Sequence, residues 1–411
     1  MNDENLYLFK FAWMSIRRNA GRSFFIGFSV SLAVVIAVWV VSFFDGMNAQ
    51  IEKAVVSTNT GFFQIQDPVY AYSTDSSAPH ALGPELLKKL TSSQVLSYSP
   101  ELVFDGNIST PEGSAGLLVL GVEPELHKNF ITLQKSISRG SFVGPQSVDE
   151  VVIGSELARI FSFSIGDQLV LNFQDQKGEL RSELLNIKGI YRYGSTDFEK
   201  KFIYTNHDTW KKLFLTVPTD GRLFNRIGIM TRGMDSEPQI RAFTDGSQLK
   251  VKSWKQLNPE MAVVLDFHDG MTKFFLLIIA ITITMTILTP VRMLWQERFK
   301  ELKMMSVLGV TNQKFWKIGF FEICLMVLLS ASFSCVLLFA IVGTQARYGI
   351  DMSFFTKGIA IERAGIELPK VIYPLLSAGQ LVLTFGFVIF VLSFSYVWSI
   401  FRTLKKLEGA I

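Results

Sequence analysis

The residues of this chain that could do chemistry lack the spacing that catalysis needs. Its four histidines, His80, His127, His207 and His268, are scattered and show no metal-ligand spacing. There is no GxxxxGKS/T loop to hold nucleotide phosphates, no HExxH zinc helix and no GxSxG nucleophile turn. We therefore expect a chain that is not an enzyme and that carries no metal and no cofactor of its own.

One short segment, residues 296–310, combines charges and apolar side chains at helical spacing. Glu297 and Glu301 lie one turn apart. An apolar ridge on another side of the same helix consists of Leu302, Met305 and Leu308. Gly309 is expected to end the helix in a left-handed conformation. Such a helix is suited to insertion into a groove on a partner protein, and the alternative is a solvated loop with an ordinary helix cap.

Four long apolar runs determine where that segment lies. Each contains about 20 residues or more, the length that crosses roughly 30 Å of hydrocarbon as a helix. The runs are residues 23–44, 274–295, 318–342 and 371–399. The hydrophobic content of 49% is high for a soluble domain and is concentrated in these runs. We therefore predict an integral membrane protein with four transmembrane α-helices, one before and three after a large α+β extracytoplasmic (periplasmic) domain.

Basic residues beside the runs indicate the orientation of the chain. They are Lys10, Arg17, Arg18 and Arg22 before the first run, Arg292, Arg298, Lys300, Lys303, Lys314 and Lys317 around the link between the second and third, and Arg402, Lys405 and Lys406 after the fourth. Four spans put these segments on one side, and the positive-inside rule makes that side cytoplasmic. The first run exceeds the apolar core of a cleaved signal peptide, so we expect it to be retained. The net charge of +4, without a basic patch interleaved with aromatics, argues against nucleic-acid binding.

The outward domain shows alternating strand and helix patterns. Strands are predicted at residues 62–66, 117–122, 151–153, 168–173, 184–191, 201–204 and 227–231, and helices at 84–90, 154–161 and 208–214. Ser155 and Asp208 are the expected N-caps of the last two helices, and Gly178 is expected to allow a hairpin turn. Both cysteines, Cys324 and Cys335, lie about 16 Å apart on one predicted membrane helix. The domain is therefore expected to have no disulfide and to depend on its own core.

Helical periodicity extends beyond the first run on both sides. An apolar stripe before the run consists of Leu6, Phe9, Trp13, Ile16 and Ala20. It predicts an amphipathic helix on the cytoplasmic membrane surface, with packing on a partner protein as the alternative. After the run, the period continues at Met47, Ile51, Ala54 and Val55. We expect the first membrane helix to continue for a few turns into water.

Two further features of the membrane segments could serve movement and substrate. Pro290 follows a threonine-rich stretch in the second run, which predicts either a hinge or a static kink. Apolar side chains that could contact an acyl chain border the first and second runs on the outward side: Phe43, Phe44, Met47, Phe267, Met271, Phe274 and Phe275. The alternatives for this second group are interfacial anchoring and dimer packing.

Several motifs give the chain a family resemblance. The segment from Glu297 to Glu322, with its ER-x-x-E pattern closed by Gly309, is similar to the signature of FtsX-like permeases of ABC transporters. Further similar stretches are Phe11-Ala12-Trp13, Arg18-Asn19, Arg22, Gly121-Val122-Glu123-Pro124, Gly154-Ser155-Glu156-Leu157-Ala158, Gly166-Asp167, Lys188-Gly189-Ile190, Gly194 and Asp197. The pattern most resembles the LolC/LolE (lipoprotein-releasing) branch, which is related to MacB.

The resemblance implies a non-catalytic permease that pairs with itself, or with a sister permease as a LolC/LolE-like heterodimer. Two copies of a separate ABC ATPase, which holds the ATP and Mg²⁺, would dock on a cytoplasmic coupling helix. The implied ATPase contacts are Glu297, Arg298, Glu301, Leu302, Met305 and Gly309. Movement of the outer domains driven by ATP is called mechanotransmission in this family.

The implied activity is the extraction of lipoproteins or other amphiphiles from the outer leaflet of a bacterial inner membrane. A periplasmic carrier or adaptor is a further implied partner, although the hairpin at residues 173–181 is shorter than the arm that holds the carrier in lipoprotein-releasing relatives. An FtsX-type regulator of a periplasmic partner is one alternative. A MacB-like exporter of peptides or toxins, working with a periplasmic adaptor, is another.

These inferences divide the chain into nine segments with both termini cytoplasmic. They are a cytoplasmic amphipathic helix (1–22), the first span (23–44), a MacB-like periplasmic domain (45–272), the second span (273–295), the coupling helix and loop (296–317), the third span (318–342), a periplasmic loop (343–370), the fourth span (371–399) and a cytoplasmic tail (400–411).

Overall fold

The computed structural model of the protein describes residues 3–18, 20–67, 79–111, 113–175, 178–193, 196–214, 222–297, 299–308, 310–353, 362–363, 366–367 and 370–408. The chain divides into two units. The helical unit comprises Met1–Ala49, Leu265–Phe355 and Lys370–Ile411, and the sheet unit comprises Gln50–Val264 and Thr356–Pro369.

The α-helices are, in chain order, α1 (Asp3–Arg18), α2 (Ala20–Val55), α3 (Pro84–Leu90), α4 (Pro124–Phe130), α5 (Ser155–Ile160), α6 (Thr196–Lys201), α7 (His207–Phe214), α8 (Glu237–Arg241), α9 (Trp254–Leu257), α10 (Pro259–Glu297), α11 (Phe299–Val307), α12 (Asn312–Leu338), α13 (Thr344–Tyr348) and α14 (Ala378–Glu408). The strands are β1 (Phe63–Gln66), β2 (His80–Ala81), β3 (Ser97–Thr110), β4 (Gly113–Val122), β5 (Ile137–Gly140), β6 (Glu150–Gly154), β7 (Gln168–Gln174), β8 (Leu180–Tyr191), β9 (Phe202–Asn206), β10 (Leu223–Phe224), β11 (Arg226–Met230), β12 (Lys250–Ser253), β13 (Ile350–Asp351), β14 (Glu362–Arg363), β15 (Ile366–Glu367) and β16 (Val371–Ile372).

Four helical stretches of the described residues are long and apolar enough to span a membrane. They cover Ser23–Thr58, Pro259–Met293, Gln313–Tyr348 and Ala378–Arg402. The four predicted apolar helices are therefore confirmed by length and composition. The helical continuation of the first run past residue 44 is also confirmed, because α2 continues to Val55 and a π-helical turn follows at Val56–Thr60.

The fourth apolar helix begins later than the sequence predicts. The predicted start is residue 371, but β16 pairs there with β13 and α14 begins only at Ala378. The backbone N–H of Leu375 donates to the carbonyl of Ser42 at 2.9 Å. Gly46 permits this approach, since a Cβ at that position would lie 2.2 Å from the carbonyl oxygen of Tyr373. Backbone bonds outside the run thus hold its first residues in an extended conformation.

Small residues bring α2 and α12 close together in the helical unit. The hydroxyl of the fully buried Ser31 donates to the carbonyl of Ser330 on α12 at 2.8 Å. Gly27, one turn earlier, would place a Cβ 3.2 Å from Leu329. Glycine and serine spaced by four residues let helix backbones approach in an apolar medium, where packing rather than the hydrophobic effect holds helices together.

Six strands of the sheet unit close into a ring. The hydrogen-bonded order is β3, β4, β9, β6, β8 and β7, and β7 pairs again with β3. The β4–β9 and β6–β8 pairs are parallel and the others antiparallel. An open extension of β11, β1 and β12 continues from β3, and β5 adds to β8. Closure leaves the ring without the unpaired edge that a flat sheet would present.

Most predicted elements of this unit are confirmed, and one long strand was missed. Strands β1, β4, β6, β7, β8, β9 and β11 and helices α3, α5 and α7 lie at their predicted places with ends shifted by a few residues. The Gly178 hairpin is also confirmed, with φ +81° at that residue. The missed strand is β3, because Pro100 and the stretch Asp105-Gly106-Asn107 carry turn-forming residue types.

Both predicted helix caps are wrong. Gly154 is the N-cap residue of α5, and the Ser155 hydroxyl instead donates to the Glu199 carboxylate at 2.5 Å. At α7 the capping acceptor is Asn206, whose Oδ1 receives the N–H of Asp208 at 3.2 Å. The serine expected to cap α5 thus pairs with a distant carboxylate, and the N–H of the aspartate expected to cap α7 is itself capped by the asparagine two residues earlier.

Candidate functional site

Helix α11 occupies the segment predicted to couple to a partner, and it is fixed to the helical unit on two sides. The guanidinium of Arg18, at the end of α1, donates to both carboxylate oxygens of Glu301, at 2.6 and 2.8 Å. On its other side, Phe299 and Met305 pack against the buried core formed by α2, α10, α12 and α14. A displacement of α11 must therefore strain contacts to both α1 and the core.

The end of α11 is closed by backbone hydrogen bonds. The N–H of Val310 donates to the carbonyl of Met305 at 3.1 Å, and the N–H of Leu308 donates to that of Met304 at 3.1 Å. A bond spanning five residues is the longer bond of a Schellman motif, one of the helix endings that a left-handed residue permits. Gly309, the residue proposed to permit it, lies outside the described residues.

Three apolar side chains of α11 and its C-terminal end face away from the core. Met304, Val307 and Leu308 are 65%, 76% and 83% exposed. With Lys303 they line a shallow hollow, and we call these four residues the α11 surface. Burying a side chain of this kind contributes about 1.5–3 kcal/mol, so three adjacent ones favour contact with a partner.

The α11 surface differs from the ridge predicted from spacing. Leu308 is exposed as expected, but Met305 points into the unit and packs on its core. Spacing alone cannot decide which of two helix faces meets the core, and here the apolar bundle takes the face that carries Met305. The side chains of Glu297 and Leu302 and the whole of Arg298 lie outside the described part of the chain. The coupling roles of all six predicted residues stay predictions.

A cavity of about 540 Å³ lies beside α11, between α1 and the ends of α10 and α12. Its lining residues are Phe11, Met14, Ser15, Arg17, Arg18, Trp295, Glu301, Met305, Phe315 and Ile318. The Ser15 hydroxyl and the Trp295 indole N–H are buried without a hydrogen-bond partner among the described residues. The cavity therefore leaves α11 incompletely packed on the side of α1.

The structure brings together part of the predicted outward apolar group. The rings of Phe44 and Phe275 stack at 6.1 Å, and Phe43 contacts Phe44 edge-on at 5.6 Å. Asn48 supports the same contact between α2 and α10, since its amide donates to Asp269 at 2.9 Å. Its Oδ1 also lies 3.1 Å from a ring nitrogen of His268.

The remaining members of that group differ in exposure. Phe267 and Phe274 are 63% and 59% exposed, whereas Met47 and Met271 are half-buried. The exposed members are thus available to an apolar ligand or to lipid, and the stacked members join two helices.

Helix α10 passes through position 290 without interruption. The hydroxyls of Thr282, Thr284 and Thr289 each donate a hydrogen bond to the backbone carbonyl four residues earlier, at 2.8–3.2 Å. The side chain of Pro290 lies outside the described residues. The hinge at Pro290 and its alternative, a static kink, stay predictions.

A buried polar group joins the ring of the sheet unit to its open extension. Glu101 on β3 and Arg226 on β11 are direct cross-strand partners, and the Arg226 Nε donates to Glu101 Oε2 at 2.7 Å. The ring nitrogen Nδ1 of His127 lies 3.0 Å from the Ser99 hydroxyl. Burial, reinforced by the nearby guanidinium, lowers the pKa of His127 to about 3. Burial raises the pKa of Glu101 despite its pairing with Arg226.

Glycines in the recognised motifs have packing roles in the sheet unit. A Cβ on Gly154 would lie 2.1 Å from the carbonyl oxygen of Glu199, and one on Gly189 would lie 2.4 Å from that of Ser141. A Cβ on Gly121 would approach Trp210 to 2.9 Å. These motif positions therefore permit close contacts between ring strands and their neighbours. Among the described residues, no group of three or more His, Cys, Asp or Glu could hold a metal ion.

Comparison with known proteins agrees with this architecture. The family model of the MacB-like periplasmic core domain matches residues 23–243, which is more than half of the chain. The chain therefore belongs to the MacB-like and FtsX-like family of ABC-transporter permeases. Permease subunits of this family are generally non-catalytic and act with a partner ABC ATPase. Together with the four apolar helices, the match indicates a membrane-embedded transporter.

Two solved structures of extracytoplasmic domains are similar to part of this chain. The extracellular domain of the noncanonic ABC-type transporter YknZ from Gram-positive bacteria is 12% identical, with 47% of this chain and 99% of that chain covered and a TM-score of 0.33. The periplasmic region of MacB from Actinobacillus actinomycetemcomitans is 13% identical, with 52% of this chain and 98% of that chain covered and a TM-score of 0.34. No curated protein matches the chain.

Proposed function

We propose that this chain is the membrane subunit of an ABC transporter in which α11 receives the movement of a cytoplasmic ATPase. The observation that carries the proposal is the α11 surface, where Met304, Val307 and Leu308 are exposed on a helix fixed to its own unit. The sequence has no phosphate-binding loop of its own. In this proposal the α11 surface fits a groove on the ATPase, and ATP hydrolysis by the ATPase supplies the energy.

The route from α11 into the membrane helices is short. Arg18 and Glu301 tie α11 to α1, and Met305 ties it to the core shared by four long helices. Helix α10 ends at Glu297 and α12 begins at Asn312, so both flank α11 directly in the chain. A displacement of α11 is therefore transmitted to α10 and α12. This transmission of movement is what mechanotransmission means here.

In the proposed arrangement, both termini and residues 296–317 lie in the cytoplasm of a bacterium, with four spans in its inner membrane. Residues 45–272 and 343–370 lie on the periplasmic side. A second permease copy, identical or a sister chain, completes the membrane part, and two ATPase copies bind beneath it. The excess of lysine and arginine beside α1, α11 and the end of α14 supports this orientation.

The substrate that we propose is an amphiphile, with a lipoprotein of the outer leaflet as the leading candidate. The support is the pair of exposed phenylalanines, Phe267 and Phe274, next to the stacked Phe44–Phe275 contact. Broad aromatic surfaces suit acyl chains at the border of the membrane. The hairpin between Gln174 and Leu180 is short, so a carrier would have to bind through another subunit.

A second candidate is the export of peptides or toxins through a periplasmic adaptor. It is favoured by the family match, which is to the MacB-like periplasmic core domain. In this case the sheet unit, rather than the phenylalanine group, makes the decisive contacts.

The coupling proposal is tested with the double variant Val307→Asp plus Leu308→Asp in the full-length chain co-expressed with its ATPase. We expect loss of co-purification and at least a tenfold fall in permease-dependent ATP turnover, because two charges would replace apolar contacts. Leu96→Asp, at a leucine that is 58% exposed in the sheet unit, is the matched control. Unchanged co-purification and ATP turnover in the double variant would show that the ATPase does not bind α11.

The substrate proposal is tested by placing a photo-crosslinking residue at Phe274. A lipoprotein adduct is expected there and not at Met285, an equally exposed position farther along α10. Adducts to a soluble adaptor from the sheet unit, without lipoprotein adducts at Phe274, would favour the exporter. Adducts to a cell-wall hydrolase would favour a regulator.

A further inference from the structure

A second cavity, of about 450 Å³, lies where the C-terminal part of α10 meets that of α14. It is lined by Arg292, Trp295, Gln296, Phe299, Trp398, Ser399 and Arg402. Two guanidiniums and no carboxylate are among these lining residues. The described part of the chain gives neither Arg292 nor Arg402 a salt bridge to a carboxylate.

A buried donor belongs to Trp295, which lines both this cavity and the cavity beside α1. Trp295 is 3% exposed, and its indole N–H has no hydrogen-bond partner among the described residues. A buried N–H without an acceptor costs free energy that a bound acceptor would recover. Two cations, one from α10 and one from α14, together with an unused donor are complementary to an anion with several oxygen atoms.

An apolar path leads from this cavity along α14. Phe390, Phe394 and Trp398 recur at four-residue steps and stack in sequence at 6.3 and 6.0 Å. All three are exposed, at 67%, 53% and 39%. The Arg402 guanidinium lies 5.0 Å above the Trp398 ring, which holds the charge at the end of the stripe. Charge at one end and an aromatic stripe along a candidate span match the two parts of a phospholipid.

We propose that this cavity binds the headgroup of an anionic phospholipid, with Arg292 and Arg402 around the phosphate and an acyl chain along Phe390, Phe394 and Trp398. Basic pockets between membrane helices on the cytoplasmic side are suited to such headgroups. The proposal rests on the membrane orientation given under the proposed function, but not on an ATPase or a transported substrate. The lipid would hold α10 and α14 together next to Phe299, the first residue of α11.

The test is native mass spectrometry of the full-length chain in detergent, titrated with phosphatidylglycerol or with phosphatidylcholine of the same acyl chains. We expect the wild-type chain to bind phosphatidylglycerol first and more tightly. Arg292→Gln and Arg402→Gln should each weaken the first phosphatidylglycerol by about fivefold and leave phosphatidylcholine unchanged. Arg347→Gln, an exposed arginine on α13, is the matched control and should have no effect.

Two additions make the result decisive. Arg292→Lys and Arg402→Lys keep the charge and should retain most of the selectivity, which separates lost charge from lost folding. An excess of inorganic phosphate should not displace phosphatidylglycerol, because the acyl chain contributes to binding. Equal binding of both lipids by the wild type, equal losses in Arg347→Gln, or displacement by phosphate would each overturn the proposal. No ATPase is present, so these outcomes are independent of the coupling test.

Discussion

The sheet unit and the helical unit each have a buried apolar core, but they differ in how much aromatic surface they leave exposed. In the sheet unit, aromatic rings such as Phe104, Phe173 and Phe214 pack inward at 4.5–5.6 Å, and a charged pair is buried between two strands. In the helical unit, Phe390 and Phe320 are more than half exposed, while the small Ser31 is fully buried. The first arrangement suits a domain in water, and the second suits helices surrounded by hydrocarbon.

This difference predicts that the sheet unit is most sensitive to the loss of a buried charge. Arg226→Met should destabilise it by about 3–5 kcal/mol, because Glu101 would be left buried without its partner. The measurement is urea unfolding of the full-length chain in detergent, followed by the fluorescence of the buried Trp210 and Trp254.

The matched control for that variant is Lys212→Met. Lys212 pairs with Asp149 at 2.5 Å, but its side chain is 53% exposed, so its loss should cost about 0–1 kcal/mol. Equal effects of the two variants would remove the contrast between buried and exposed pairs.

The helical unit should instead be most sensitive to added volume where small residues meet. Gly27→Leu is expected to cost about 1–3 kcal/mol, because its side chain would collide with Leu329 on α12. Gly21→Leu on the same helix has open space around it and should cost much less. Detergent-induced unfolding of both variants measures the difference, and a similar loss in each would contradict close packing of α2 on α12.

The buried histidines of the sheet unit should make its stability depend on pH. His127 has a pKa of about 3 when folded, below its usual value of 6.5, so the unfolded chain binds more protons between these values. The contribution of neutral His127 to the free energy of unfolding is therefore complete above pH 6.5 and is lost as the pH falls toward 3. His207, whose pKa burial lowers to about 4, acts in the same direction.

The His127 contribution can be isolated by comparing pH slopes. Between pH 7 and 5 the wild type should lose about 2 kcal/mol more than His127→Gln, whose side chain does not titrate. Unfolding of the full-length chain at several pH values, with the same tryptophan fluorescence, provides the slopes. Parallel slopes would mean that His127 is charged or exposed in the folded state.

The smallest effect is expected at the exposed pair between α1 and α11. A double-mutant cycle with Arg18→Ala and Glu301→Ala should give a coupling energy of about 0.2–1 kcal/mol that decreases with salt, since both side chains are partly exposed. Hydrogen exchange of the α1 amides reports it. As a control, a cycle with Lys10→Ala in place of Arg18→Ala should give no coupling energy. An equal coupling energy in both cycles would mean that it comes from general charge effects rather than from the Arg18–Glu301 pair.

Sequence reasoning succeeded where structure follows from local pattern. Run length and composition predicted the four apolar helices, and short apolar or alternating stretches predicted β6, β7 and β8, because these signals lie in neighbouring residues. It failed at β3, where Pro100 and Gly106 indicate a turn. There the strand is maintained by pairing with β4, β7 and β11, which are distant in the chain. Gly106 is needed at that crossing, since a Cβ would lie 2.7 Å from Leu171.

At the candidate coupling site, too, local features could be predicted from the sequence and tertiary packing could not. The sequence identified the short helix α11, because its signal depends on neighbouring residues, whereas the predicted left-handed Gly309 lies outside the described residues. The sequence placed Met305 on the partner surface, whereas the structure packs Met305 inward and exposes Met304 and Val307. The helix face that meets the core depends on how α1 and the four long helices assemble around it.

By itself, then, the sequence determined the number of apolar helices, the mixed strand and helix content of the large domain and the location of a short charged helix. Only the tertiary structure decided the closure of the six-stranded ring, the start of α14 at Ala378, the pairing of Arg18 with Glu301 and the cavity between Arg292 and Arg402. The physical reason is distance along the chain. Periodicity and capping arise from contacts within a few residues, whereas these four features join segments that come together only when the whole chain folds.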